Sequence, residues 1–263
     1  MKILCIGDVV GKPGRQALSL FLRKIQEAHD IALTIANGEN AAGGFGITPD
    51  TAADLLRLGV DVITSGNHIW DKKDVLGYIP KESRLLRPLN YPPGAPGFGS
   101  IVVTARNGAK VAVLNASGRV FMHDFDCPFR TTLAEIEALA GETRVRIVDF
   151  HAEATSEKIA FGRFLDGRVS AVVGTHTHVQ TADERLLPGG TAYISDLGMT
   201  GPSDSVIGVE TDIVVRKFLT GLPERFETAK HHPQLQGVVV AIDPGSGRAV
   251  GIERISLTSS ASG

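Results

Sequence analysis

Cysteine and tryptophan are nearly missing from this sequence, with two cysteines and one tryptophan in 263 residues. Cys5 and Cys127 cannot build a disulfide framework, and Cys5 lies inside an apolar run, where a buried small residue is expected. An excess of either charge is also lacking. There are 27 Lys and Arg against 29 Asp and Glu, a net charge of -2. That balance argues against an extended nucleic-acid surface or a membrane surface. No apolar run approaches the ~20 residues of a membrane helix. The N-terminus runs straight into a strand, without the apolar stretch and small-residue cleavage site of a signal peptide. A cytoplasmic protein is therefore expected. No G-x-S-x-G offers a nucleophile, and neither G-x-G-x-x-G nor a Walker A loop offers a nucleotide cradle. Internal repeats and low-complexity linkers are absent too.

What is present is an ordinary globular composition, with 43% hydrophobic and 21% charged residues. The length fits one large domain or two small ones. The reading here is a single domain over 1–257, followed by a small, polar, frayed tail at 258–263. Glycine is plentiful, at 30 residues, and much of it sits just after apolar runs.

Five of those runs end in side chains that can bind a metal. Ile3–Ile6 leads to Gly7-Asp8, and Ile31–Ala36 leads to Asn37-Gly38-Glu39-Asn40. Val60–Thr64 leads to Ser65-Gly66-Asn67-His68, and Arg144–Phe150 leads to His151. Val169–Val173 leads to Gly174-Thr175-His176-Thr177-His178. All five read as short buried strands. If the chain stays extended past Gly174, His176 and His178 face the same way. They would then lie beyond the carboxyl end of a strand, where open α/β sheets put their ligands. Taken singly, Asp8 reads as a turn or capping aspartate, and a strand-end histidine reads as a core residue. Five such ends on one sheet edge are hard to produce by accident.

The donor types are carboxylate, amide oxygen and imidazole, without thiolate. That set suits iron, manganese, zinc or similar ions better than a structural zinc site. About seven ligands exceed one tetrahedral site, so two metals ~3.5–4 Å apart and bridged by a carboxylate would use them.

Helices are expected at Arg15–Ala28, at about Pro49–Leu58 with Thr48 as N-cap, at Asp71–Tyr78, Thr131–Ala140, Thr155–Leu165 and Val209–Leu219. Hairpins are expected at 100–115, through Asn107-Gly108, and at 237–257. Residues 80–100 read as a proline-rich connection. Residues 117–130 read as an irregular loop whose aromatics make a lid, a substrate wall, a homo-oligomer contact or simple core packing.

The order Gly-Asp, Gly-Glu-Asn, Gly-Asn-His, strand-end His and Gly-Thr-His-x-His resembles the calcineurin-like binuclear metallophosphoesterase superfamily. The superfamily's first motif is usually Asp-x-His, whereas Asp8 is followed by Val9 and Val10. Its second motif usually carries a bridging Asp, whereas Glu39 stands here. With Gly-Asn-His-Ile-Trp-Asp and Ser-Asp-Leu-Gly-Met-Thr-Gly, these departures match the bacterial YmdB-like phosphodiesterases. The resemblance implies hydrolysis of 2′,3′-cyclic nucleotides to 3′-nucleotides, and of 3′,5′-cyclic nucleotides more weakly, at a di-iron or related centre.

It implies that Glu39 bridges the metals. Asp8, Asn40 and His178 would complete one site, and Asn67, His151 and His176 the other. Two divalent or trivalent ions are expected, iron first, with manganese, zinc and magnesium as alternatives. A hydroxide held by the metals would attack phosphorus, and His68 would donate a proton to the leaving ribose oxygen. The alternative for His68 is a histidine that only orients Asn67 or a water. The expected partner is a small-molecule nucleotide substrate. Rival readings keep the metals but change the role: a di-metal phosphomonoesterase, a phosphoprotein phosphatase, or a metal-stabilised regulatory protein.

The resemblance also implies a four-layer α/β/β/α sandwich with mixed sheets. Alternating strands and helices alone would fit a three-layer doubly wound sheet equally well, and the two hairpins favour mixed pairing.

Overall fold

In the computed structural model, which describes residues 1–259, two mixed sheets lie face to face with helices outside. The first sheet holds β1 (Lys2–Ile6), β2 (Asp8–Val9), β3 (Ile31–Asn37) and β4 (Val62–Thr64). The second begins with β5 (Ser100–Thr104), β6 (Lys110–Ser117), β7 (Arg146–His151) and β8 (Ala171–Thr175), and gains β9 (Arg185–Leu186) and β10 (Ala192–Ile194). The chain then returns to the first sheet with β11 (Met199–Pro202), β12 (Pro233–Ile242) and β13 (Ala249–Thr258). The first sheet runs β2-β11-β12-β1-β3-β4, with β13 also on β12, and the second runs β5-β6-β7-β8-β10-β9. Strands β1, β3 and β4 are mutually parallel. So are β6, β7, β8 and β10. Their carboxyl ends carry the candidate donors.

Three apolar layers make this a four-layer sandwich. The middle layer joins the inner faces, with Ile3, Cys5, Ile35 and Val62 from one sheet against Val113, Ile147, Val173 and Ile194 from the other. Each such side chain, fully buried, contributes about 1.5–3 kcal/mol. On the outer face of the first sheet, α1 (Gly11–His29) packs through Leu18, Leu22 and Ile25. Beside it, α2 (Pro49–Leu58) packs through Ala52 and Leu55. On the second sheet, α3 (Pro128–Ala138) buries Ile136, and α4 (Thr155–Phe164) buries Phe161 against Phe150, their rings 3.9 Å apart. The fifth helix, α5 (Thr211–Thr220), buries little beyond Val214.

The hairpin expectations hold, since β5–β6 and β12–β13 pair antiparallel. Thr48 caps α2, accepting from the Thr51 amide in a reciprocal capping box. Several expectations need correction. Met199–Pro202 is strand, for which no element was expected, because Met199 and Thr200 pair in parallel with Asp8 and Val9. Asp71–Tyr78 forms only a 3-10 turn, Lys73–Gly77. The irregular stretch ends at Cys127, since Pro128 starts α3. Its aromatics divide. Phe129 packs on Phe161 with ring centroids 5.3 Å apart, while Phe121 is 88% exposed. The expected tail begins on structured chain, with Thr258 ending β13 and 260–263 outside the described residues. Among the described residues, no helix is long and apolar enough to cross a membrane.

Candidate metal centre and its cavity

All seven expected ligands converge at one end of the sandwich, drawn from both sheets. Asp8 comes from β2, Glu39 and Asn40 from the turn after β3, and Asn67 and His68 from the turn after β4. The second sheet supplies His151 at the tip of β7 and His176 and His178 after β8. The glycines noted after apolar runs have a steric reason here. A Cβ on Gly66 would stand 2.2 Å from the His151 ring, and one on Gly174 would stand 1.8 Å from the Ser195 carbonyl oxygen. Only glycine lets these strand ends approach one another.

Glu39, fully buried, is central. Its Oε1 lies 3.1 Å from His151 Nε2, and its Oε2 accepts the His68 amide at 3.1 Å. His151 Nε2 also lies 2.9 Å from Asn67 Oδ1 and 3.0 Å from His176 Nδ1. Glu39, His151 and His176 each offer a donor atom within 4.8 Å of the others, a ready metal-binding group. On the other side, His178 Nε2 lies 3.2 Å from the Asn40 amide nitrogen and 3.7 Å from Asp8 Oδ1.

His176 and His178 reach the site by a different route from the one expected. The chain does not stay extended: His176 has φ 99° and His178 φ 64°. Both residues sit in the left-handed region, which non-glycine residues occupy sparingly. The bend is held in place. The His176 amide donates to Asp8 Oδ2 at 3.1 Å, and the Thr177 amide and hydroxyl donate to Asp196 at 3.1 and 2.7 Å.

Two oxygens test whether the cluster suits cations. Asp8 Oδ1 and Asn40 Oδ1 are buried and have no hydrogen-bond partner. Orphaned buried acceptors are costly. Both fit a cation ligand, and hard oxygen donors beside imidazoles suit the ions named above.

The electrostatics agree. Burial works against ionisation of Asp8, but the imidazoles of His178 and His151 hold its carboxyl below the usual range. Glu39 is likewise lowered, with His151 overcoming burial. His178 is pushed up to about 9, the Asp8 carboxylate outweighing burial. His176 is lowered to about 4 by burial and by His151. Bound cations would take over the neutralising role that these imidazoles play here.

Supporting groups behind the ligands were not foreseen. Thr175 Oγ1 donates to Asp149 Oδ1 at 2.7 Å and lies 3.0 Å from His151 Nδ1. With its proton given to Asp149, Thr175 can only accept from Nδ1–H, so His151 Nε2 is left as the free donor atom. The sequence signal was a charge, Asp149, set between the apolar Val148 and Phe150. Burial raises that carboxyl to about 6. Glu153 Oε2, 3.1 Å from His176 Nε2, was also missed.

His68 stands at the edge of the cluster. Its Nδ1 lies 2.8 Å from Asp71 Oδ2, and its ring meets Phe45 edge-on at 5.3 Å. It helps line a cavity of about 310 Å³ that also touches Asn40, His176 and His178.

A family model described as YmdB-like protein matches residues 4–255. The chain belongs to the YmdB-like family. A relative from Bacillus subtilis named 2′,3′-cyclic-nucleotide 2′-phosphodiesterase is 49% identical over 257 residues, covering 98% of this chain and 97% of that protein. The crystal structure of a hypothetical protein from Thermus thermophilus superposes with a TM-score of 0.92 at 41% identity, covering 98% of this chain and 99% of the other. A crystal structure described as a novel phosphatase from Mycoplasma pneumoniae gives the same TM-score at 36% identity, covering 98% and 93%. The mixed four-layer architecture is thus shared with these two solved structures.

Proposed function

We propose that this chain is a metal-dependent phosphodiesterase that hydrolyses 2′,3′-cyclic nucleotides to 3′-nucleotides, as the name of its Bacillus subtilis relative indicates for that protein. The observation that carries the reading is the convergence of seven donor residues, two of them (Asp8 and Asn40) with orphaned oxygens, with His68 beside them. Glu39 would bridge two cations, with Asp8, Asn40 and His178 around one and Asn67, His151 and His176 around the other. When bound, such a pair supplies charge stabilisation for phosphoryl oxygens and a more acidic water. Iron is the first candidate, followed by manganese, zinc and magnesium. A cytoplasmic setting belongs to the same reading.

The chain's own residues supply the rest. His68 is 29% exposed in its side chain and can meet substrate. Asp71 accepts from Nδ1–H and fixes the ring, leaving Nε2 as the atom that can pass a proton to the departing 2′-oxygen. The Glu39 carboxylate fixes the His68 backbone through its amide, which ties the acid to the ligand cluster.

The test is product analysis with 2′,3′-cyclic AMP, alongside p-nitrophenyl phosphate as a monoester. Formation of 3′-AMP, with turnover falling about 10²–10⁴-fold in His68→Ala at unchanged metal content, supports the proposal. Cleavage of the monoester alone transfers the centre to the phosphomonoesterase reading.

A further inference from the structure

The side chains around the cavity fall into two chemical groups. Asn40, His68, His176 and His178 belong to the donor cluster, with Glu153 beside His176. Val10, Phe45, Ile207, Val209 and Phe226 are wholly apolar. The lining hydroxyls are already engaged: Thr177 donates to Asp196, and Thr228 donates to the Gly43 carbonyl at 3.0 Å. Away from the cluster, then, the lining offers rings and methyl groups rather than free hydrogen-bonding side chains.

Ile207 is held in an unusual way. Its φ is 48°, which is rare for a β-branched residue. The residue is 52% exposed, so core packing does not impose that bend. Its carbonyl accepts from His178 Nδ1 at 2.8 Å. One strained residue therefore orients a candidate ligand and presents an exposed apolar side chain to the cavity. Phe45 is 37% exposed and sits against His68. Phe226 carries the Lys217 ammonium over its ring at 4.4 Å.

We propose that Phe45, Ile207 and Phe226 form a nucleobase site, gripping the base by stacking and apolar contact without reading its edge. This rests on the phosphodiesterase reading above, which places the cyclic phosphate on the donor cluster. Stacking tolerates every base, because every base has a π-face. Strong discrimination would require side chains committed to hydrogen-bond a particular edge. The site therefore separates nucleotides from base-free phosphates but separates the bases poorly.

The experiment compares kcat/KM of the metal-loaded chain for the 2′,3′-cyclic phosphates of adenosine, guanosine, cytidine and uridine. A base-free control is methyl ribofuranoside 2,3-cyclic phosphate. The four nucleotides should agree within about tenfold, and the base-free ester should fall about 5- to 100-fold below them. Phe45→Ala and Phe226→Ala should pull the nucleotide to base-free ratio towards one, mainly through KM. A base-free ester that matches the nucleotides overturns the proposal. So does a spread among bases beyond about 100-fold, which would mean edge recognition. Equal losses on both substrate types in both variants would mark the rings as structural and overturn it as well. If no cyclic ester is cleaved, the phosphodiesterase reading fails and the nucleobase site goes with it.

Discussion

The Lys158 ammonium lies 2.7 Å from the Asp196 carboxylate, and both side chains are almost fully buried behind the loop that carries His176 and His178. The same carboxylate accepts from the Thr177 amide and hydroxyl, and its other oxygen accepts from the Gly198 amide at 2.8 Å. One ion pair thus ties α4 to the histidine loop and to the turn entering β11. Removing one partner of a buried pair leaves the other uncompensated, at a cost of about 3–5 kcal/mol. Lys158→Met should lower unfolding stability by that amount and weaken metal retention. A denaturant midpoint equal to wild type would contradict the assignment.

Thr175 predicts a narrower effect. Its hydroxyl fixes the His151 ring, so Thr175→Val should lower metal affinity about 10–100-fold with little change in secondary structure. Competition against a chelator reads this directly. Unaltered affinity would mean that His151 is oriented by other contacts.

Gly66→Ala should be far more damaging than its chemistry suggests, because the new methyl group would overlap the His151 ring. Loss of bound metal is expected. Gly77→Ala, where nothing lies within 4 Å of the added Cβ, should behave as wild type. Full metal loading in the Gly66 variant would sink the steric argument.

Asp183 gives the pH prediction. Its carboxylate accepts from the Ser195 amide at 3.0 Å, the Ser195 hydroxyl at 2.6 Å and the Thr181 hydroxyl at 2.7 Å. Burial opposes ionisation, yet these bonds hold the carboxyl below its ordinary value. A lowered carboxyl stabilises the fold fully above the unfolded value of ~3.9 and loses that contribution as pH falls through the folded one. Asp183→Asn should therefore cost about 1 kcal/mol at pH 7, with a smaller gap from wild type near pH 3. A gap independent of pH would count against it.

The sequence exposed the site better than its supports. Asp8, Glu39, Asn40, Asn67, His151, His176 and His178 were legible because each follows an apolar strand, and a strand end is where a side chain leaves the core. The hairpins at 100–115 and 237–257 were legible for local reasons, the first from Asn107-Gly108. By contrast, β2 and β11 were hidden. Each is short, and their pairing joins Asp8 to Met199, far apart in sequence. The bends at His176 and His178 were also hidden, because the carboxylates of Asp8 and Asp196 that accept from the His176 and Thr177 amides come from other elements. Lys158 looks like an ordinary surface lysine until α4 packs it against Asp196. Tertiary partners, absent from any local window, decided each of these.

On the proposed reading, Glu39 would join two cations that turnover requires. The most direct test measures metal per chain and 2′,3′-cyclic AMP turnover for wild type and Glu39→Gln in the same preparations. About two ions per wild-type chain are expected, with loss of both ions and turnover in the variant. A Glu39→Gln chain that keeps its metal and cleaves the cyclic ester at the wild-type rate would contradict it.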